Sequence, residues 1–482
     1  MRDALPDAQV GEGGFAPATS AARPNLAIVV LVAGGATVAV MQTLVAPLLP
    51  LFPKLLGASV SDVTWLATVS LLAGAVLTPI LGRLADLYGR RRILLLALGL
   101  MTAGSTLGAL APGLGLLLVA RALQGGALAV IPIGMSLMRD VLPAGRLPGG
   151  VAVMSASQGF GSALALPLSG TVAEFADWRW LFAGPALVGA VLMVATVTLL
   201  PEPPGRSPGR FDWIGAVLLA ASLTCLLLGV SKLGTWGWGA VAGLLGSAAV
   251  LIPVSAWSAL RTRSPLIDIR VSAARPVLFV NLTSGLIGFA LYMSVLGIPL
   301  WLQARPATGY GLGLSVAESS LLLMPLGATS ALISPLAATL ARRYGARSIL
   351  AAGAPLVAVG SLAMTTMPRS LVVLVAFTLV LATGTTLANA ATPVLVMEAV
   401  PVDQTAAANS VNMLSRAISS SMSSAVIAVV VTAMAMTVRG GTDVPTRAAF
   451  VVLFVLATAA ALVAFLLAIV LQRDHRRPVT KP

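Results

Sequence analysis

Charge is scarce in this sequence. Only 10% of the 482 residues are Asp, Glu, Lys or Arg, against roughly 25% in an ordinary soluble domain. A water-exposed globule could not cover itself with so few charges, whereas a lipid-facing surface needs none. Histidine and cysteine are almost missing as well. The one histidine, His475, lies in the C-terminal tail, and the one cysteine, Cys225, lies inside an apolar run. These counts exclude an intrachain disulfide, a thiolate metal site and a histidine-based catalytic or metal centre in the membrane core. No cofactor is called for. Lysine occurs 3 times against 27 arginines. That ratio hints at a GC-rich bacterial genome. No G-x-x-x-x-G-K-[ST] phosphate loop is present, which argues against an ATP-driven pump.

What the chain has in quantity is apolar length. Hydrophobic residues make up 58% and the mean hydropathy is +0.97. Runs long enough to span a bilayer fall near residues 26–50, 62–82, 93–111, 114–138, 149–173, 179–200, 212–231, 237–258, 277–302, 316–340, 348–367, 370–397, 408–432 and 448–471. Each reaches the ~20 residues that a spanning helix needs. The net charge of +14 sits in the short connections, not on an aromatic-studded surface, so nucleic acid is not the expected partner. With the N-terminus inside, the inner connections carry 21 Lys and Arg and the outer ones seven, leaving Arg121 and Arg416 within spans. A helix too many or too few would scramble this alternation, so the split supports fourteen crossings with both termini cytoplasmic. Residues 1–24 read as a disordered cytoplasmic lead, not as a cleaved signal peptide.

An internal repeat divides the chain. Residues 79–94, PILGRLADLYGRRRIL, and residues 335–350, PLAATLARRYGARSIL, match at eight of sixteen positions with a constant offset of 256. Asp62 and Glu318 fall on each other in the same register. The expected organisation is an N-terminal six-helix half over 25–200, a linker with two further helices over 201–275, a C-terminal six-helix half over 276–472, and a cytoplasmic tail over 473–482. Repeated halves with a binding site between them are a recurrent transporter plan.

Several residues carry chemistry. After the second run come Gly82, Asp86, Gly89, Arg90 and Arg91 in ordered spacing. Gly82 admits a close helix, Gly89 permits a tight turn, and Asp86 can pair with nearby arginines or cap the positive end of a neighbouring helix. This cluster is read as a conformational latch. Arg121 lies within the fourth run, with Gln124 one turn away on the same face and Gln42 of the first run as a polar candidate partner. A cation inside a membrane is paired or faces a cavity. One reading gives Arg121 a part in coupling, and the other makes it a packing arginine bonded to carbonyls. Gln158, Asn389, Asn412 and Arg416 are further cavity candidates, together with Ser155 and Ser157. Arg416 either lines the C-terminal half of the cavity or snorkels to water at a helix end. Trp65, Tyr292 and Trp301 are ligand contacts or interfacial anchors. All sixteen Asp and Glu lie in tails, connections or within about two turns of a predicted helix end. Asp62 and Glu318 are read as outer-end caps.

The motif G-x-L-A-D-x-x-G-R-R, met here at Gly82, Leu84, Ala85, Asp86, Gly89, Arg90 and Arg91, resembles that of the major facilitator superfamily, in its fourteen-helix drug:proton antiporter branch. Arg121-Ala122-Leu123-Gln124-Gly125 looks like the family's R-x-x-Q-G signature, Trp178-Arg179-Trp180-Leu181-Phe182 like its W-R-W-x-F element, and Gly209 to Gly215 like its start of the seventh helix. The resemblance covers about residues 26–471. Two positions depart from it. Met41 stands where the branch has the acid of a Leu-Asp-x-Thr sequence. Ser162 to Thr171 keep only Pro167 and Gly170 of the fifth-helix antiporter signature, and a bend is expected at these two.

The resemblance implies an all-α integral membrane protein of the major facilitator fold: two pseudo-symmetric six-helix halves plus two inserted helices, fourteen in all. It further implies a monomeric multi-pass transporter of the bacterial plasma membrane. Such a protein exports small organic molecules by alternating access, with protons as the coupling ion. An uptake carrier or uncoupled facilitator is the alternative within transporters. An embedded enzyme or sensor is the alternative outside them, and neither clustered catalytic groups nor a soluble output domain is visible.

Overall fold

The computed structural model describes residues 24–45, 52–58, 60–143, 145–202, 210–232, 236–262, 265–266, 269–400, 405–438 and 442–476. Nearly all of it is helix, because backbone in lipid must satisfy its own N–H and C=O groups. In chain order the helices are α1 (Pro24–Leu44), α2 (Phe52–Leu56), α3 (Val60–Tyr88), α4 (Arg90–Ala109), α5 (Leu114–Gly126), α6 (Val130–Val141), α7 (Leu147–Phe175), α8 (Trp180–Leu199) and α9 (Trp213–Ser231). They continue with α10 (Trp238–Arg261), α11 (Ile269–Ser272), α12 (Arg275–Gln303), α13 (Val316–Tyr344), α14 (Ala346–Met364), α15 (Leu371–Ala399), α16 (Thr405–Ala433) and α17 (Arg447–Arg476). One 3-10 turn, Ala127–Ala129, joins α5 to α6 as a single span. Among the described residues 13 helices are long and apolar enough to cross a membrane. The 29-residue α7, which coincides with the fifth apolar run, completes the expected fourteen.

The helices overrun the apolar runs at the end that carries the arginine clusters, called the basic end below. Gly82 to Tyr88 are the last turns of α3, and Arg90 opens α4. The segment read as a loop is therefore two helix ends around one residue, Gly89, at φ 113. The repeat preserves this hinge. Gly345, 256 residues on, has φ 85 and separates α13 from α14. Likewise α17 continues through Arg473 to Arg476, residues expected in a tail. There Arg347 donates to the Leu471 carbonyl at 3.1 Å and Gln472 to the Ser348 hydroxyl at 3.2 Å. At the opposite end a two-stranded antiparallel hairpin, β1 (Ala435–Val438) with β2 (Thr442–Pro445), lies between α16 and α17. The hydropathy pattern does not predict it. The Tyr310 hydroxyl donates to the Pro445 carbonyl and ties the hairpin to the α12–α13 connection.

Among the described residues two large hydrophobic cores form, beside three smaller clusters. One large core is built from residues between Ala27 and Leu200, joined by Met397. The other is built from residues between Val277 and Leu471. The two sets of helices meet along α7 with α13 and α3 with α16. Small residues allow this. A Cβ on Gly159 would sit 2.0 Å from Ser330 Cβ, and one on Gly327 would sit 2.4 Å from Ala163 Cβ, so α7 and α13 cross nearly backbone to backbone. The inserted pair is peripheral. Helix α9 packs on α3 and α16, while α10 packs mainly on α9 and buries only Val241 and Ala248. Asp212 caps α9 by accepting from the Gly215 N–H at 2.8 Å, which explains the acid in the Gly209–Gly215 element. At the end of α9 away from the basic end, the Lys232 ammonium lies 4.0 Å over the Trp65 ring of α3.

Candidate functional site

Arg121 is the largest polar side chain that the N-terminal helices bury, with only 1% of its surface exposed. The R-x-x-Q-G spacing explains how it is held. Gly125 lets α5 approach α3 so closely that a Cβ there would lie 2.5 Å from the Ser70 carbonyl. One turn back along both helices, Arg121 Nε donates to the Leu66 carbonyl at 2.9 Å. Its Nη1 donates to the Met41 carbonyl at 3.2 Å and to Gln124 Oε1 at 2.8 Å, and its Nη2 to Gln42 Oε1 at 3.2 Å. Gln124 in turn donates to Ser105 Oγ at 2.9 Å, and Ser70 Oγ donates to Gln42 Oε1 at 2.6 Å. Gln124, grouped with Arg121 by spacing, and Gln42, its polar candidate partner from the first run, both reach it. Every acceptor on the guanidinium is neutral. Where an acid would pair with the arginine, Met41 offers its backbone carbonyl instead, and its side chain packs in the core. Gln42 Nε2 is buried without a partner among the described residues.

The basic end holds the ionic cluster. The Asp86 side chain, fully buried, lies 3.5 Å from Arg90 Nη2. Arg90 Nη1 binds Asp140 at the end of α6. Arg91 donates to the carbonyls of Thr196 and Val197 on α8, and Arg92 lies 3.8 Å from Glu202. Gly82 is buried within α3. Neither Asp140 nor Glu202 belongs to the motif that contains Arg90 and Arg91. The signal for Asp140 was available, since it is an acid at the same basic end as Arg90. The two sets of helices are also joined here. Arg139 Nη1 donates to the Met397 carbonyl of α15 at 3.4 Å, and Met397, Val394 and Met413 pack on the N-terminal core.

In the C-terminal helices, Asn412 of α16 donates to Asn281 Oδ1 at 2.9 Å and accepts from Ser284 Oγ at 3.4 Å. Arg416 lies one turn further along α16, beside Gly288 of α12, and is half-buried. Tyr292 lies one turn beyond Gly288 on the same face of α12. Gln158 and Asn389, both half-buried, are not hydrogen-bonded to either arginine. Ser155 and Ser157 bond carbonyls of their own helix. Trp301 is fully buried and donates to the Tyr310 carbonyl at 3.1 Å, so it packs the core. The side chains of Pro167 and Gly170, and that of Asp62, lie outside the described residues; the backbone of α7 is continuous helix through 167 and 170.

Glu318 caps the start of α13, at the end of the bundle away from the basic end. It forms a reciprocal capping box with Ser315 at the start of α13. Hydrogen bonds from the Ser315 backbone and side chain hold its carboxyl below the usual glutamate range. The cap's contribution to stability is therefore present above the ordinary pKa of about 4.3 and fades as pH falls through the lowered value. Among the described residues no group of His, Cys, Asp and Glu could hold a metal ion.

A groove of about 750 Å³ opens between α1, α7 and α8. Its lining is apolar apart from Thr37, Ser157 and the Trp180 indole, and neither arginine reaches it. Phe160 and Trp180 on its rim are exposed, as befits a lipid-facing surface.

A sequence profile of the Major Facilitator Superfamily matches residues 31–424. The chain belongs to that family. Its curated relatives in the family are named as transporters or as resistance and export proteins. An uncharacterized MFS-type transporter of Mycobacterium tuberculosis is 30% identical over 359 residues, covering 73% of this chain and 51% of the relative. The tetracenomycin C resistance and export protein of Streptomyces glaucescens is 27% identical over 350 residues, covering 72% and 64%. A multidrug resistance protein B homolog of M. tuberculosis is 29% identical over 315 residues, covering 63% and 56%. The chain thus spans about half to two thirds of the length of these relatives. Among solved structures, the human organic anion transporter MFSD10 (TETRAN) superposes with a TM-score of 0.65 at 16% identity, covering 92% of this chain and 99% of that one. At that identity the likeness speaks for the fold alone. The family consists of membrane transporters, not enzymes.

Proposed function

We propose that this family member is a secondary transporter that exports small organic molecules across a bacterial plasma membrane by alternating access, with both termini cytoplasmic and protons as the coupling ion. The observation that carries alternating access is the way the halves meet. Each has its own core, and they touch along α3–α16 and α7–α13 and at the basic end. Two separately packed bodies can rock about such seams without unpacking either. With the basic end inside, the arrangement is closed to the cytoplasm by Arg139 on Met397. The Asp86–Arg90–Asp140 cluster serves as the latch that stabilises this closure. The names of the relatives support export of an antibiotic-like cargo. The protein acts as a monomer, since one chain supplies both halves.

One observation favours a second reading, a facilitator without proton coupling. Met41 replaces the acid, and every partner of Arg121 is neutral. Inside-out vesicles separate the two. Accumulation of an aromatic antibiotic that depends on an imposed pH gradient supports coupled export. Equilibration at the same rate with and without the gradient supports the facilitator.

A further inference from the structure

The deep part of the bundle holds two arginines, and their surroundings differ. Arg121 spends its N–H groups on four neutral acceptors and is sealed at 1% exposure. Arg416 is half-buried and, among the described residues, makes neither a hydrogen bond nor an ion pair. It is the twelfth residue of the 29-residue α16 and lies five residues, about 8 Å of helix, inside the apolar span Val411–Val431.

The helical wheel shows where Arg416 points. Leu414, Ala417 and Ile418 pack on α3 and α9. Asn412 and Ser423 bond α12, and Ser419 abuts Gly285 of α12. Met413 packs on the N-terminal core. The Arg416 direction falls between the α12 face and the Met413 face, opposite α3 and α9, and so between the two halves. Below it, both ends of the Asn412 amide are already committed, to Asn281 and Ser284, which fixes the floor of the site. Tyr292, four residues on from Gly288, shares the face of α12 that meets Arg416. A cation at this depth without a protein counter-charge is costly, and a guanidinium fork matches a planar anion in two parallel bonds.

We propose that Arg416 binds the anionic group of the transported molecule, an organic carboxylate or sulfonate, in the space between α12, α16 and the N-terminal half. The counter-charge that the chain lacks is brought by the cargo. Asn412 and Tyr292 border the site, and the aromatic or aliphatic body of the cargo lies against the neighbouring apolar side chains. The proposal rests on the transporter reading for its cargo, but it concerns binding and does not depend on direction or coupling.

The test uses three probes of one shape and different charge: 1-naphthylacetate, 1-naphthylacetamide and 2-(1-naphthyl)ethylamine. Their binding to the purified full-length protein in lipid nanodiscs is measured without any gradient. Wild type is expected to prefer the carboxylate, and Arg416→Gln to lose about tenfold or more in affinity for it, while the amide is unaffected. Arg416→Lys should recover part of the loss. Unchanged amide binding in Arg416→Gln serves as the check that the variant is folded. Equal binding of acid and amide, preference for the amine, no binding of any probe at millimolar concentration, or an Arg416→Gln protein that holds the carboxylate as wild type does would each overturn the proposal. Export is read separately in inside-out vesicles. Gradient-driven accumulation of a cationic dye together with no carboxylate binding sinks the anion site and leaves export standing. Carboxylate binding without gradient-driven accumulation does the reverse.

Discussion

A guanidinium sealed among neutral acceptors joins α5 to α1 and α3. Truncating Arg121 would leave Gln124 Oε1 without its donor and withdraw one donor each from the Leu66 and Met41 carbonyls and from Gln42 Oε1, which Ser70 still serves. Each buried polar group left unpaired costs about 1–3 kcal/mol. If the arginine is a clamp, Arg121→Ala lowers the unfolding temperature of the purified protein and transport together, and Arg121→Lys, with fewer and differently aimed donors, recovers only part of either. If the arginine couples protons to cargo, Arg121→Lys keeps the unfolding temperature and loses gradient-driven transport. The neutral partners lead us to expect the first outcome. Thermal unfolding beside vesicle transport of both variants decides it. Spacing alone brought out Gln124, because i and i+3 share a helix face. Ser70 and Ser105 could not be found that way, since each lies on another helix and meets the network only through the α3–α5 and α4–α5 crossings.

At the scale of elements, the two hinge glycines are equivalent in the repeat but not in their surroundings. Gly89 at φ 113 faces Glu202, whose Oε1 would lie 2.1 Å from an added Cβ. Gly345 at φ 85 faces open space. Both substitutions to Ala carry the backbone cost of a conformation that L side chains rarely adopt, about 1–3 kcal/mol. Only Gly89→Ala must also displace Glu202 from Arg92. Gly89→Ala is therefore expected to reduce stability more than Gly345→Ala, and a thermal melt of the two variants checks the order. Equal losses would mean that Glu202 yields freely. The repeat in the sequence made both glycines visible as turn residues. That the flanking polar residues are helical was not legible, because hydropathy reports where lipid ends and not where hydrogen bonding ends. The hairpin β1–β2 was hidden for a similar reason: four-residue strands carry too little periodicity, and a hydroxyl from Tyr310, far away in sequence, helps hold it.

For the whole molecule, the asymmetry of charge sets the expected orientation. The alternation in the sequence assigns twenty-one Lys and Arg to one set of connections and seven to the other, and the clusters Arg90–Arg92 and Arg342–Arg343 lie at the end where α1 begins and α17 ends. Reporter tags fused at either terminus should be active on the cytoplasmic side and shielded from protease added to whole cells. Digestion of either tag from outside would invert the topology and, with it, the side to which the closed end of the bundle faces. The peripheral seat of α9 and α10 is a fact of assembly. Their hydropathy matches that of the core spans, so nothing in the two segments taken alone distinguishes them from helices that line the centre.

The sequence by itself determined the class of the protein, the number and order of its crossings, the twofold plan with its matched hinges, and the family. All of these follow from local properties: apolar length, charge alternation, and motifs whose residues lie within a few turns of one another. Tertiary structure alone decided what the polar residues do. Arg121 and Arg416 read alike in the chain, each a cation in an apolar run. Folding surrounds the first with carbonyl and amide oxygens from α1, α3 and α5, and leaves the second half-open between the halves. The difference lies in which helices cross, and crossings are set by small residues such as Gly125 and Gly159, whose partners stand tens to hundreds of residues away.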